Sequence, residues 1–179
     1  VDLSSGKAPE SVMLFPAPGA DSKIKARDGR VFRMSSAQRI VDAFNASGEE
    51  IPWDVEHQSE ILSPQGLPAY AVGWTSRLEV REGAVHAFVD WTDAGRELIE
   101  SKKYRFASPA FTRDHTTGEI INLVSAGLTN RPALKMTALA NVQSGEIMNP
   151  KILKLLGLDD KATPEQIEAA VTAFEAKQV

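Results

Sequence analysis

Pairs of strands joined by short turns are the sequence feature that most restricts the fold of this chain. Residues 69–80 and 84–91 are rich in apolar residues and are separated by Glu82-Gly83, a typical hairpin turn. Residues 103–111 and 119–128 form a second such pair, separated by a turn-rich segment. Because the strands of a hairpin run antiparallel, the sequence predicts a mainly antiparallel sheet.

Helical patterns are fewer than strand patterns. Ser35 or Ser36 caps one helix, which Gly48 ends, and Thr92 caps a second one. These helices are too few to cover both faces of a parallel sheet, so we expect an α+β fold, a mainly antiparallel β-barrel flanked by helices. Further strands are predicted at residues 11–15, 31–34 and 51–57, and the predicted core includes Trp74, Val89, Trp91 and Phe106.

Composition excludes several kinds of protein. A net charge of -4 predicts no basic surface for nucleic acid or anionic lipid. No apolar run approaches the roughly 20 residues of a membrane span. The chain has no cysteine, which excludes disulfides, thiolate metal sites and a cysteine nucleophile. Chemistry that needs an imidazole must use His57, His86 or His115.

Ser108 is the hydroxyl in the most unusual position. On a strand, Tyr104, Phe106, Ser108 and Ala110 share one face, which places the serine in an apolar row. Pro109, the next residue, cannot donate a hydrogen bond to a sheet ladder. A hydroxyl among apolar neighbours needs a partner, so this serine either bonds nearby backbone or acts as a nucleophile beside a base.

His57 is the best-placed imidazole in the chain. If residues 51–57 form a strand, His57 shares a face with Trp53, and Asp54 and Glu56 lie on the other face. The two carboxylates then point away from the imidazole unless a bulge intervenes, which makes this segment weak as a metal site. The histidine is either a satisfied core residue or the general base for a serine nucleophile.

The other two histidines are less well placed, and a third polar group is needed to orient a base. His86 lies opposite an apolar row and is predicted to be exposed, and His115 belongs to a surface turn. If the strands of the second hairpin pair evenly, Ser108 lies opposite residues 122–124, of which Asn122 is polar. Asn122 either orients the imidazole or hydrogen-bonds at an edge of the sheet.

Five sequence blocks, taken together, resemble the I protein family of Mu-like phages. In chain order they are Asp54-Val-Glu-His57-Gln58, Ala71-Val-Gly-Trp74, Val89-Asp-Trp-Thr92, Tyr104-Arg-Phe-Ala-Ser108-Pro-Ala-Phe111 and Leu128-Thr-Asn-Arg-Pro132, within residues 10–140. That family is a prohead protease fused to a scaffolding region. The resemblance implies a serine protease whose β-barrel is similar to that of the herpesvirus assemblins, with no metal or organic cofactor.

The resemblance also implies roles for individual residues. Ser108 is the expected nucleophile and His57 the expected general base, because assemblin-like enzymes take the two from separate strands. The third member in assemblins is a histidine on the strand after the nucleophile, and this chain has none there. The candidates for the third member are Asn122, Asp54 and Glu56, and those for stabilising the oxyanion are Asn130 and Arg131.

The sequence divides into three parts. Residues 1–140 are the expected protease domain, 141–148 a polar linker and 149–179 two short helices that begin a scaffold region. Helices this short cannot bury a core of their own, so we expect them to associate with another copy of the chain, and the alternative is that they dock onto their own protease domain. Met148 lies where an internal start for a separate scaffold is expected, and the Val1 terminus implies a trimmed product.

The expected function is that of an endopeptidase that digests scaffold and capsid-associated proteins inside assembling phage heads in the host cytoplasm. Its expected partners are those proteins and further copies of itself, with no nucleic acid and no membrane. The alternative is a catalytically inactive scaffold or assembly protein whose tail drives association. A fluorophosphonate probe separates the two, because it labels an activated serine.

Overall fold

The computed structural model describes residues 7–136, Leu139 and Gln166. The chain divides into two compact units, residues 1–142 and residues 143–179. The predicted linker at 141–148 and the predicted helices at 149–179 lie outside the described residues, except for Gln166, which is helical.

The described part of the first unit contains eight strands, three α-helices and one short 3₁₀ helix at Ser63–Gln65. The strands are β1 (Ser11–Phe15), β2 (Lys23–Lys25), β3 (Val31–Arg33), β4 (Ile51–Val55), β5 (Gly73–Arg81), β6 (Ala84–Trp91), β7 (Phe106–Arg113) and β8 (Ile120–Thr129). The helices are α1 (Ala37–Ser47), α2 (Gln58–Ile61) and α3 (Asp93–Glu100). None of these helices is both long enough and apolar enough to cross a membrane.

Six of these strands form one curved sheet. Their order is β1-β6-β5-β4-β8-β7, and every neighbouring pair is antiparallel except β4 with β8, which is parallel. The two edge strands meet where the rings of Phe15 and Phe111 pack edge to face at 5.4 Å. The sheet is therefore a nearly closed barrel, which confirms the predicted α+β, mainly antiparallel architecture. Strands β2 and β3 form a separate two-stranded sheet.

The core lies inside the barrel. Trp53 is fully buried, packs edge to face on Trp91 at 4.9 Å, and its indole N–H donates to Thr75 Oγ1 at 2.8 Å. This bond satisfies the two polar atoms that the barrel would otherwise bury without a partner. Helix α1 adds an apolar stripe, and its buried residues are Ala37, Ile40, Val41 and Phe44.

The predicted core residues have different outcomes. Val89 and Trp91 are buried, as predicted, and Phe106 is half-buried and packs against the core. Trp74 is 42% exposed, so its prediction was wrong. Its neighbours Gly73 and Thr75 point inward, and the alternation of a strand therefore directs the indole of Trp74 to the outer face.

Local turn and cap signals are confirmed. Helix α1 begins after Ser36, which occupies the N-cap position without a capping side-chain hydrogen bond, and ends at Gly48, whose φ of 66° is left-handed. The Thr92 hydroxyl accepts a hydrogen bond from the Gly95 N–H at 3.2 Å and caps α3. The hairpin between β5 and β6 turns at Glu82-Gly83, where both residues have positive φ.

Candidate active site

Ser108 is the third residue of β7, and its partner on β8 is Gly127. The Ser108 side chain is 5% exposed. The prediction that it lies opposite residues 122–124 was wrong, because Asn122 pairs with Thr112 and is exposed. Two irregularities in the ladder, between Ala110 and Phe111 and between Thr112 and Arg113, shift the register toward the end of β8. Asn122 is about 17 Å along the strand from Gly127 and does not reach Ser108.

Gly127 has a second partner on its other side. In the parallel pair of β4 with β8, Asp54 aligns with Gly127 and is fully buried. Paired residues on neighbouring strands project to the same face of a sheet. Ser108, Gly127 and Asp54 therefore form one row across three strands, with the glycine in the centre.

His57 reaches this row because β4 ends earlier than predicted. The strand stops at Val55, and Glu56 and His57 adopt left-handed backbone with φ of 53° and 59°. Such values are uncommon outside glycine, and here they reverse the chain so that α2 begins directly after His57. The prediction of a strand through residue 57, with its alternating faces, was wrong for this reason.

The imidazole of His57 occupies the space above Gly127. A Cβ on Gly127 would lie 3.1 Å from both the backbone nitrogen and Nδ1 of His57. Because neighbouring strands are about 4.8 Å apart, a ring above the central glycine is within reach of the side chains on both sides. The glycine thus provides the gap that brings His57 between Ser108 and Asp54.

Two buried atoms in this group have no hydrogen-bond partner among the described residues. They are Nδ1 of His57 and Oδ1 of Asp54. The other carboxylate oxygen, Oδ2 of Asp54, accepts the backbone N–H of Ser59 at 2.7 Å. A buried imidazole nitrogen and a buried carboxylate oxygen are complementary, and each lacks the partner that the other can supply.

A cleft of about 450 Å³ opens onto Ser108 and His57. Its other polar lining residues include Glu56, Glu60, Thr129 and the cations Arg30, Arg113 and Arg131. Asn130, a candidate for stabilising the oxyanion, does not line it, and its side-chain amide donates to Lys103 O at 2.9 Å. Of the two oxyanion candidates, the structure brings only Arg131 to the cleft.

The other histidines lie elsewhere. His115 is exposed in its turn, as predicted. His86 was predicted to be exposed but is half-buried on β6, where burial lowers the pKa of its imidazole and the nearby Arg81 lowers it further. Neither residue lines the cleft. Among the described residues, no three His, Asp or Glu side chains are grouped as a metal site requires.

Four residues of this site were missed by the sequence reasoning. They are Gly127, Ser125, Glu60 and Thr129. Gly127 supplies the gap for His57. The Ser125 hydroxyl donates to Glu60 at 2.9 Å, and the Thr129 hydroxyl donates to Glu56, which the sequence had already suggested. A glycine inside a strand is itself a signal that another group approaches the backbone closely. That signal was present in Ser125-Ala-Gly-Leu-Thr129, where hydroxyl residues flank the glycine at a spacing of two.

Comparison with known proteins identifies relatives of this chain. Residues 12–140 match the family described as Mu-like prophage I protein, N-terminal domain. The chain is 29% identical over 187 residues to Protease I of Escherichia phage Mu. The aligned region covers 86% of this chain and 52% of that protein. The chain therefore spans about half the length of that relative. No solved structure matches it. Since the family match covers most of the sequence, the chain belongs to the family of Mu-like prophage I proteins.

Proposed function

We propose that this chain is a serine endopeptidase of a phage, with Ser108 as nucleophile, His57 as general base and Asp54 as the group that orients the base. The observation that carries the proposal is the row of Ser108, Gly127 and Asp54, with the His57 ring above the glycine. A serine hydroxyl becomes an effective nucleophile only when a base takes its proton, and a buried carboxylate is the common partner of such a base.

The proposed reaction begins with attack by Ser108 Oγ on the carbonyl carbon of a peptide bond. His57 takes the hydroxyl proton, and the buried carboxylate of Asp54 stabilises the resulting imidazolium. His57 then gives the proton to the departing amine, which leaves an acyl-serine. A water molecule, deprotonated by His57, attacks this ester, and His57 returns that proton to Ser108 Oγ as the second product leaves, which restores the free serine.

Stabilisation of the oxyanion needs a donor other than the residue after the nucleophile. In many acyl-transfer sites that residue donates its backbone N–H, but here it is Pro109, which has none. Arg131 lines the cleft with Ser108, and its guanidinium is the proposed donor. The alternative assignment to Asn130 is weaker because its amide already donates to a backbone carbonyl.

Asp54 is the proposed third member in preference to the other two candidates. Asn122 is exposed and lies beyond reach of Ser108, and one carboxylate oxygen of Glu56 accepts the Thr129 hydroxyl at 3.1 Å. Asp54 is the one fully buried residue among the three candidates, and one of its carboxylate oxygens lacks a hydrogen-bond partner among the described residues. Because Asp54 is buried, where the local dielectric constant is low, its attraction to an imidazolium is stronger than it would be in water.

The proposed substrates are scaffold and capsid-associated proteins, cleaved within an assembling phage head in the host cytoplasm. Membership of the Mu-like prophage I protein family and the name of the phage Mu relative, Protease I, support this part of the proposal. A barrel similar to that of the herpesvirus assemblins and self-association through the tail belong to the same proposal.

A fluorophosphonate probe tests the proposed activity without knowledge of the substrate. The full chain is expected to form a stable adduct that mass spectrometry locates on Ser108, because only an activated serine reacts rapidly. Ser108→Ala should abolish the adduct, and Ser76→Ala, at an exposed position of β5, should leave labelling unchanged. Absence of labelling in the wild-type chain, both alone and in the presence of phage head proteins, would instead favour an inactive scaffold or assembly protein.

A further inference from the structure

The turn that carries His57 is attached to β8 on both sides of the glycine. Ser125, Gly127 and Thr129 alternate along β8 on the face that carries Ser108. The Ser125 hydroxyl donates to Glu60 Oε1 at 2.9 Å, and the Thr129 hydroxyl donates to Glu56 Oε2 at 3.1 Å. One hydroxyl-to-carboxylate bond therefore lies before the imidazole and one lies after it.

Burial makes these two bonds difficult to replace with water. Ser125 is fully buried and Thr129 is 3% exposed, although Glu56 and Glu60 reach solvent. The Thr129 hydroxyl also accepts the Arg131 N–H at 3.0 Å, so both its donor and its acceptor functions are used. The backbone N–H of Glu56 donates to Leu128 O at 3.0 Å, which adds a main-chain bond on the same side.

The backbone between these bonds is strained. Glu56 and His57 are consecutive residues with positive φ, and neither is glycine. Such conformations persist only where surrounding interactions enforce them, and they concentrate at functional sites. The bonds from β8 to Glu56 and Glu60 are the side-chain interactions that hold this turn against the strand.

We propose that the pairs of Glu56 with Thr129 and of Glu60 with Ser125 form a clamp that fixes the His57 imidazole above Gly127. The four residues are positioning residues, which act through His57 and do not touch the reacting atoms. The inference rests on the proposed function, in which the imidazole must lie between Asp54 and Ser108. It also assigns Glu56 a role other than third member of a catalytic triad.

The clamp predicts a distinctive response to substitution of Glu56. In Glu56→Gln the amide oxygen still accepts the Thr129 hydroxyl, so positioning should be retained. In Glu56→Ala that bond is lost, and the change is made at an exposed side chain, so the core is not disturbed. If Glu56 instead acted through its charge on the imidazole, the glutamine variant would be as impaired as the alanine variant.

The experiment uses the full chain, labelled with ¹⁵N-histidine, and two readouts. Imidazole NMR signals report the environment of His57, assigned with His57→Gln, and the rate of labelling by a fluorophosphonate probe reports the reactivity of Ser108. The clamp variants are Glu56→Ala, Thr129→Val and Ser125→Ala. The conservative variants are Glu56→Gln and Thr129→Ser, and Thr112→Val, at an exposed position of β7, is the matched control.

Each clamp variant should change the His57 signals and lower the labelling rate about tenfold, the effect of losing one hydrogen bond to a charged group. The conservative variants and Thr112→Val should behave like the wild-type chain. Unchanged His57 signals in folded Glu56→Ala and Ser125→Ala would overturn the clamp. Changed signals in a chain that is never labelled would support the clamp and overturn the protease, so the two failures are distinct.

Discussion

His57 and His86 share one unusual property and differ in their surroundings. In each residue Nδ1 is buried and has no hydrogen-bond partner among the described residues. His57 lies on a left-handed turn above Gly127, whereas His86 lies within a regular strand, where its partners are Met13 on β1 and Glu79 on β5.

The strand partners around each imidazole decide what it can do. The row beneath His57 supplies a hydroxyl, Ser108, and a buried carboxylate, Asp54, and Ser108 lines a cleft. The partners of His86 supply no nucleophile, and its neighbour Glu79 is paired with Arg81. A buried ring nitrogen without a hydrogen-bond partner therefore indicates an active site only where a hydroxyl and a buried carboxylate lie on the same face of the sheet.

The sharpest test of this comparison replaces each histidine by glutamine. His57→Gln removes the proposed general base, so the rate of fluorophosphonate labelling at Ser108 should fall about 10³-fold. His86→Gln is the matched control and should leave the rate unchanged. Mass spectrometry of the adduct over time gives both rates. An equal loss in the two variants would mean that His57 has no special role.

The second test concerns the carboxylate beneath His57. Asp54→Asn keeps an oxygen to accept the Ser59 N–H but loses the charge that stabilises an imidazolium, so labelling should slow about 10²-fold. Asn122→Ala is the control, because the register places that residue away from Ser108. A normal rate in Asp54→Asn together with a slow rate in Asn122→Ala would favour Asn122 over Asp54 as the third member.

The third test fills the gap above β8. A methyl group in Gly127→Ala would lie 3.1 Å from His57 Nδ1, so the imidazole must move by a few tenths of an ångström. We expect the labelling rate to fall about tenfold, because small displacements of a catalytic group are costly. Gly19→Ala adds the same group near the flexible Asp21 side chain and should have no effect on the rate. An unchanged rate in Gly127→Ala would show that the gap is not required.

The smallest expected effect concerns stability and belongs to His86. Burial lowers the pKa of His86 in the folded chain, so the unfolded chain binds the proton more readily. The free energy of unfolding should therefore begin to fall as the pH drops below about 6.5, the pKa of a histidine in the unfolded chain. It should continue to fall until the pH passes the lowered pKa of His86 in the folded chain. In His86→Gln this part of the pH dependence should disappear, as measured by urea unfolding at several pH values. An identical pH dependence in both proteins would exclude His86 as its source.

Local features of the fold could be predicted from the sequence because neighbouring residues determine them. The Glu82-Gly83 hairpin, the Ser36 and Thr92 caps and the Gly48 helix end are examples. The long-range pairing of β4 with β8 has no local signal, since parallel strands are joined through distant parts of the chain. For this reason the row that contains Asp54 could not be predicted.

The errors in the predicted site have two local physical causes. Two bulges in the ladder of β7 with β8 moved the partner of Ser108 two residues along β8, from Ser125 to Gly127, and the hydrophobic pattern does not specify where a bulge falls. The turn itself also places Arg113 opposite Ile120, so even a ladder without bulges would not have paired Ser108 with residues 122–124. The left-handed turn at Glu56 and His57 occurs without glycine or asparagine, which are the residues that normally signal it. Ser108 and His57 are the two candidates predicted from the sequence that the structure brings to one cleft.

A crystal structure of the full chain would give the distance from Ser108 Oγ to the nearer ring nitrogen of His57. If Ser108, His57 and Asp54 act together, this distance is about 3 Å, or is bridged by a single water, with the other ring nitrogen facing Asp54. An imidazole turned away from Gly127, at a separation from Ser108 that no single water spans and with Asp54 bonded elsewhere, would contradict this arrangement.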